Sequence, residues 1–283
     1  MEKIPQEHLY SMIDLHCHIL PGIDDGPAAL AESLQMAERA VAGGIRGVVA
    51  TPHADNGVYN AGPEYIGDRV AAFTAALRQA YIPLEVYPGA EVQLFHGLAG
   101  WLQQKRVATI NSSRYILLEL PPTLLPHHCR NELLSLLGHG FIPLLAHPER
   151  HPFLQRNPAY LAGLVKQGVL CQLTAQSLLG VFGRNVRAAA EHMLKNRLAH
   201  VLASDAHGPN GRVPALEEAV AAASQLLGST ERAAEMVSGI PAAIIADRDV
   251  HVALPETRAA TTKKAAWPEN TGSFFSSISG LWS

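Results

Sequence analysis

Two histidines one residue apart, His16 and His18, close the first apolar run of this chain, and Asp24 and Asp25 follow within the stretch MIDLHCHILPGIDDGP (12–27). Imidazole nitrogens and carboxylate oxygens together form the donor set of manganese, iron or zinc. In an extended strand residues i and i+2 face the same side, so His16 and His18 can grip one ion while Cys17 points away. Gly22 and Gly26 let the next loop fold back and bring an aspartate over the same cavity. Asp25 is the favoured ligand, with Asp24 as a supporting or turn residue. Other polar residues close later apolar runs in the same way: His53 in TPH, Glu91 in PGAE, Glu119 in LLEL, His147 in LLAHPER, and Asp205 and His207 in ASDAH.

The runs that must position these residues are 12–15, 47–51, 84–91, 115–120, 142–147, 169–174 and 200–204. Amphipathic stretches such as AALAESLQMAERAVAGG and HHCRNELLSLLGHG separate them. Strand alternating with helix at this spacing predicts βα units and a parallel sheet, whose strands, buried on both faces, read as continuous apolar runs. Gly43-Gly44, Gly140 and Gly168 stand where left-handed helix ends are expected. Seven such units predict a closed or nearly closed barrel, with an open doubly wound sheet as the alternative. In a barrel all the strand ends lie on one face, where the loops converge and chemistry is placed. Only the sixth run, VLCQLT, ends without an obvious ligand.

Each polar residue has a bland explanation alone: a satisfied structural histidine, an ion-paired glutamate, a helix cap at Asp205. Together they do not. Crowded carboxylates and imidazoles repel or lose solvation unless cations sit among them. The set is too large for one ion and fits roughly two or three.

The bulk composition narrows the class. An apolar fraction of 48% and a charged fraction of 17% suit a globular protein with a large core. A net charge of −3 gives no basic patch for nucleic acid. No apolar run nears the roughly 20 residues of a membrane helix, and the first ten residues lack a signal-peptide core. Cys17, Cys129 and Cys171, odd in number and widely spaced, fit a reducing compartment. The expectation is a cytoplasmic protein that does not span a membrane. Residues 1–254 are expected to form one domain, and the polar stretch 255–283 a flexible tail.

The pair His16-x-His18 and the closing Asp205-x-His207 resemble the PHP (polymerase and histidinol phosphatase) superfamily of metal-dependent phosphoesterases. DLHCHILPGIDDGP, VATPH, PGAE, LLEL, AHPER, QLTAQSLLGVFGR and SDAH, in that order, are similar to the bacterial tyrosine-protein phosphatases of capsule and exopolysaccharide synthesis. The similarity runs from about residue 12 to 250. It implies an α/β fold, a distorted seven-stranded (β/α) barrel of the PHP type, with a manganese-type centre of up to three ions. It carries metal roles onto His16, His18, Asp25, His53, Glu91, Glu119, His147, Asp205 and His207. It assigns phosphate binding to Arg150 and Arg212, for the former in competition with a surface ion pair to Glu149. It implies a phosphotyrosine protein as substrate, a bacterial tyrosine kinase.

Cysteine-based phosphatase chemistry is excluded, because the arginine position of C-x5-R holds Ile23, Ser135 or Ser177 after the three cysteines. Metal-assisted hydrolysis remains, with His207 or a bound water as proton source. Two alternatives share most of the evidence: a PHP phosphoesterase acting on histidinol phosphate or another small metabolite, and a non-catalytic kinase-docking module. His127, His128 and His151 carry no assigned role, with His151 placed beside the substrate and the other two on the surface.

Overall fold

The computed structural model describes residues 11–54, 57–121 and 129–255. Nine strands appear among them: β1 (Met12–Cys17), β2 (Ile45–Ala50), β3 (His53–Ala54), β4 (Glu85–Pro88), β5 (Glu91–Gln93), β6 (Tyr115–Glu119), β7 (Ile142–Ala146), β8 (Leu170–Thr174) and β9 (Val201–Ala203). Every pairing is parallel. One sheet has the order β1-β2-β4 and the other β3-β5-β6-β7-β8-β9. Helices lie between successive strands of each sheet, as parallel strands require.

The expected single wall of seven strands is therefore divided. The second and third expected strands each break after the first sheet and resume in the second, as β2/β3 and β4/β5. The breaks have local causes. Pro52 has no N–H to give a ladder. Thr51 turns instead toward β1, where its N–H donates to the Cys17 carbonyl at 3.0 Å and its hydroxyl accepts from the Cys17 N–H at 3.0 Å. At Gly89 a side-chain carbon would lie 2.7 Å from Val49 Cγ1, so the close approach there admits only glycine. No ladder closes a barrel among the described residues. The end of β1 nonetheless bonds the segment after β9, through His18 N–H to Ala206 O and Asp205 N–H to His16 O, each 2.8 Å.

Strand alternation sorts the core into two sets. Ile116 and Leu118 pack among the helices, whereas Tyr115 and Leu117 join Leu15, Val49, Leu144, Leu170 and Val201 in an inner cluster. Two residues further along that inner face, the leucines of β6 and β8 give way to Glu119 and Gln172. The fold thus carries an apolar floor with a polar layer above it. The helix ends follow expectation at Gly44, Gly140 and Gly168, all at positive φ. No helix of the described residues is long and apolar enough to cross a membrane. His127, His128 and the tail from 256 lie outside the described residues.

Candidate metal centre

The polar layer gathers all nine expected ligands. His16 and His18, on and just after β1, place their Nε2 atoms 3.2 Å apart. Glu91 Oε2, from the start of β5, lies 3.3 Å from each of them. Asp205 Oδ1, beyond β9, lies 3.3 Å from His16 Nε2. His53 Nδ1 is 3.2 Å from the same Glu91 oxygen, and His147 Nε2 is 2.9 Å from Glu91 Oε1. Asp25 Oδ1 stands 3.6 Å from His53 Nε2 and 3.4 Å from His207 Nε2. Donor atoms within 4.8 Å of one another form three overlapping groups: His16, His18, Glu91 and Asp205; His18, Asp25, His53 and His207; and His53, Glu91 and Glu119. His18, His53 and Glu91 each belong to two groups, so the groups merge into one cluster.

Local backbone explains how these side chains arrive. Gly22 takes φ +65, and a side-chain carbon at Gly26 would lie 2.5 Å from the His18 carbonyl oxygen. The loop therefore closes tightly over His18. Asp24 accepts there from His18 Nδ1–H at 2.6 Å and from the His53 backbone N–H at 3.0 Å, fixing the ring of the first and the backbone of the second, while Asp25 reaches His53 Nε2 and His207 Nε2. His147 and Asp205 both have left-handed backbone, φ 36 and φ 52, which L-residues adopt only when surroundings impose it.

Charge accounts for the protonation pattern. Burial opposes charge on every group, but the ion pairs outweigh it at most. Glu91 and Asp205 stay well below the usual carboxylate range because His16 and the other rings face them. Hydrogen bonds to Asp24 and Glu91 lift His18 to about 10 against its burial. Burial and the neighbouring Glu91 charge push Glu119 up. Burial, with His18 and Arg212 nearby, lowers His207 to about 4 and leaves it neutral at pH 7. Protonated imidazoles here balance the clustered carboxylates, a task divalent cations perform with the same atoms. His16 Nε2, His18 Nε2, Glu91 Oε2 and Asp205 Oδ1 are four donors, and the two ring nitrogens lie 3.2 Å apart and 3.3–3.7 Å from the two oxygens, a set that fits such an ion.

Both expected arginines flank the cluster. Arg150 donates to Asp205 Oδ2 at 2.6 Å, and Arg212 pairs with the same oxygen. The alternative partner of Arg150 is elsewhere: Glu149 is fully buried and accepts from Ser177 Oγ at 2.6 Å and from the Thr174 N–H at 3.0 Å. His151 is also structural. Its ring spans the Pro121 carbonyl, at 2.9 Å, and the Phe153 N–H, at 3.3 Å.

The sequence reading missed the residues that hold this arrangement. Gln172 of β8 lies 2.9 Å from His16 Nδ1, through its Oε1, and so sets that ring's tautomer. Its position, two residues after a buried leucine on the inner face, was the available signal. Asp14 is buried on β1 and bonds Ser204 Oγ at 2.5 Å, tying β1 to the end of β9. The segment after β8 braces the arginines: Phe182 packs its ring 4.9 Å from the Arg150 guanidinium, and Gln176 Nε2 donates to the Gly211 carbonyl at 2.9 Å, next to Arg212.

Parallel sheets that present merged clusters of imidazole and carboxylate at their strand ends define a metal-dependent hydrolase type of site. The family model for capsular polysaccharide synthesis, CpsB/CapC, matches residues 12–246, and the chain belongs to that family. The tyrosine-protein phosphatase YwqE of Bacillus subtilis (strain 168) is 37% identical over 218 residues, 77% of this chain and 86% of the relative. A putative tyrosine-protein phosphatase, CapC of Staphylococcus aureus, is 34% identical over 71% of this chain and 79% of its own length. A crystal structure from work on YwqE and CpsB of Streptococcus pneumoniae, described as unique metal-dependent tyrosine phosphatases, superposes with a TM-score of 0.83 at 34% identity. It covers 87% of this chain and 98% of that one. A lactonase of Listeria monocytogenes, at 10% identity and a TM-score of 0.55 over 85% of this chain and 96% of its own, shares the fold alone.

Proposed function

We propose that this chain is a metal-dependent protein-tyrosine phosphatase that works with manganese, and that its substrate is a bacterial tyrosine kinase governing capsule or exopolysaccharide synthesis. The observation that carries this reading is the merger of three donor groups into one cluster beside two arginines. His16, His18, Glu91 and Asp205 would hold one ion, and His18, Asp25, His53 and His207 a second. His53, Glu91 and Glu119, with His147 against Glu91, would hold a third. Bound there, divalent ions polarise phosphoryl oxygens and bring the pKa of water toward neutrality.

The chain's own groups supply the rest. Arg150 and Arg212 offer planar N–H forks to phosphoryl oxygens, and each already sets one guanidinium nitrogen on Asp205 Oδ2. A tyrosine phenolate has a pKa of about 10 and leaves with less protonation than an alkoxide needs. His207 Nδ1 lies 3.1 Å from the Asp205 carbonyl and its Nε2 faces Asp25. A ring that is neutral at pH 7 suits ligation, and we assign it that role ahead of proton donation. The reading takes the two sheets as a distorted PHP-type barrel, residues 1–254 as its domain, and the cytoplasm as its place. Three buried, unpaired cysteines suit a reducing compartment.

The test is hydrolysis of a phosphotyrosine peptide with and without added manganese, beside histidinol phosphate and the His16→Ala variant. Manganese-dependent release from the peptide, lost in the variant, is expected. Turnover of histidinol phosphate alone would replace the substrate class. Turnover of neither, by protein shown to carry its metal, would leave only kinase docking.

A further inference from the structure

A small aromatic pocket adjoins the metal cluster through one ring contact, Tyr59 against His53. The Tyr59 ring stacks on the His53 imidazole, with centroids 5.9 Å apart and planes within 9°. The same tyrosine lines a cavity of about 340 Å³ together with Gly57, Val58, Asn60, Phe95 and Trp101. Two of the three wall segments leave strands that carry ligands. Residues 57–60 follow His53 of β3, and Phe95 comes four residues after Glu91 on the chain leaving β5. Trp101 sits on the short helix Leu98–Gln103.

The walls are fixed before anything binds. Phe95 meets the Trp101 indole edge to face, with centroids 5.2 Å apart and planes at 73°. The Arg106 guanidinium covers the indole at 3.7 Å. Aromatic walls held in place in this way take up apolar groups with little loss of their own freedom, the usual character of an anchoring pocket. Its volume is near the lower end of ligand sites, which start at about 300 Å³, and so admits one large side chain rather than a cofactor. Neither the metal roles nor the arginine roles use this pocket.

We infer that the pocket formed by Tyr59, Phe95 and Trp101 receives a bulky apolar or aromatic side chain close in sequence to the phosphotyrosine of the substrate protein. This rests on the phosphatase reading above. Continuity with the cluster through Tyr59 selects that occupant. A phosphoryl group at the cluster holds its own phenol ring through a single ester oxygen, on the cluster side of Tyr59. The neighbouring pocket is left to another residue of the same peptide. The pocket thereby reads sequence that the metals and arginines, which touch only the phosphoryl group, do not.

The experiment uses the metal-loaded full chain and three substrates: a phosphotyrosine peptide with a phenylalanine next to the phosphotyrosine, its counterpart with glycine there, and free phosphotyrosine. The native protein is expected to show a KM about five- to tenfold lower for the phenylalanine peptide than for the glycine one. Trp101→Ala should erase that ratio and leave kcat/KM on free phosphotyrosine unchanged, and Trp101→Phe should restore most of it. Phe95→Leu, a milder change, guards against a variant that fails to fold, and should reduce the ratio part-way at unchanged Tm. Equal KM for the two peptides, or equal losses on all three substrates, would overturn the pocket while leaving the phosphatase reading intact. Failure of the native protein on every phosphotyrosine compound would overturn that reading and the occupant with it.

Discussion

The ends of β1 and β8 face the same cluster and serve it in opposite ways. β1 and its loop deliver donors: His16, His18 and Asp25 all belong to the groups that can hold a metal. β8 delivers none, yet Gln172 lies against His16, while Ser177 and Thr174 bind the Glu149 carboxylate between His147 and Arg150. The residues that follow brace both arginine segments. One strand end therefore supplies atoms, and the other supplies their orientation. Orientation matters because hydrogen bonding to the far nitrogen fixes which ring atom is free to ligate.

The contrast can be broken or sharpened by substitution. His16→Ala removes a donor from the first group and should lower manganese-dependent turnover about a thousandfold, measured as kcat at saturating metal. A buried histidine held by β8 gives the next effect, on stability. His200 accepts from the Cys171 N–H at 2.9 Å, and no carboxylate among the described residues acts on it. Burial lowers its pKa from 6.5 to about 4. Between those values the unfolded chain binds the extra proton and the folded one does not. Its contribution is therefore whole above pH 6.5 and is lost as the pH falls toward 4, by about 3 kcal/mol at most. Urea titrations of the native protein and His200→Asn should converge in pH dependence only above that window. An equal slope in both would show that the ring is charged or solvated in the fold.

Gln172→Ala should weaken manganese binding or turnover by about 10- to 100-fold, with Gln172→Glu recovering much of the loss. Calorimetric titration with manganese measures this. No change would mean that β1 orients its own rings and would erase the contrast drawn above. The smallest effect is expected at Phe182→Ala: a rise of about two- to fivefold in KM and in the inhibition constant of inorganic phosphate, at similar kcat. Phe182→Trp should reverse it.

The same division governs what the sequence discloses. Donor residues announce themselves by type, because histidines and carboxylates at the ends of apolar runs have little other reason to cluster. Eight of the nine expected donors, Asp25 among them, fall in the three overlapping groups, and His147 lies against Glu91, while Asp24 holds the outer nitrogen of His18. The supporting residues are chemically ordinary. A glutamine, a serine and a phenylalanine gain meaning only from what lies beside them, and those neighbours are distant in sequence. Strand positions were legible for a related reason, since seven apolar runs correspond to the observed strands. Their division into two sheets was not. It depends on how closely Gly89 approaches Val49 and on where Thr51 turns, which are facts of packing rather than of pattern.

That division also bears on how the molecule holds together. His16 and His18 come from the edge of the three-stranded sheet, whereas His53, Glu91, Glu119, His147 and Asp205 come from the six-stranded one or the turns that leave it. The cluster lies on the seam. An ion shared by such donors is a rivet between two plates, and separating the plates would require releasing it. Resistance to heat and supply of metal then become one variable, set by mass action.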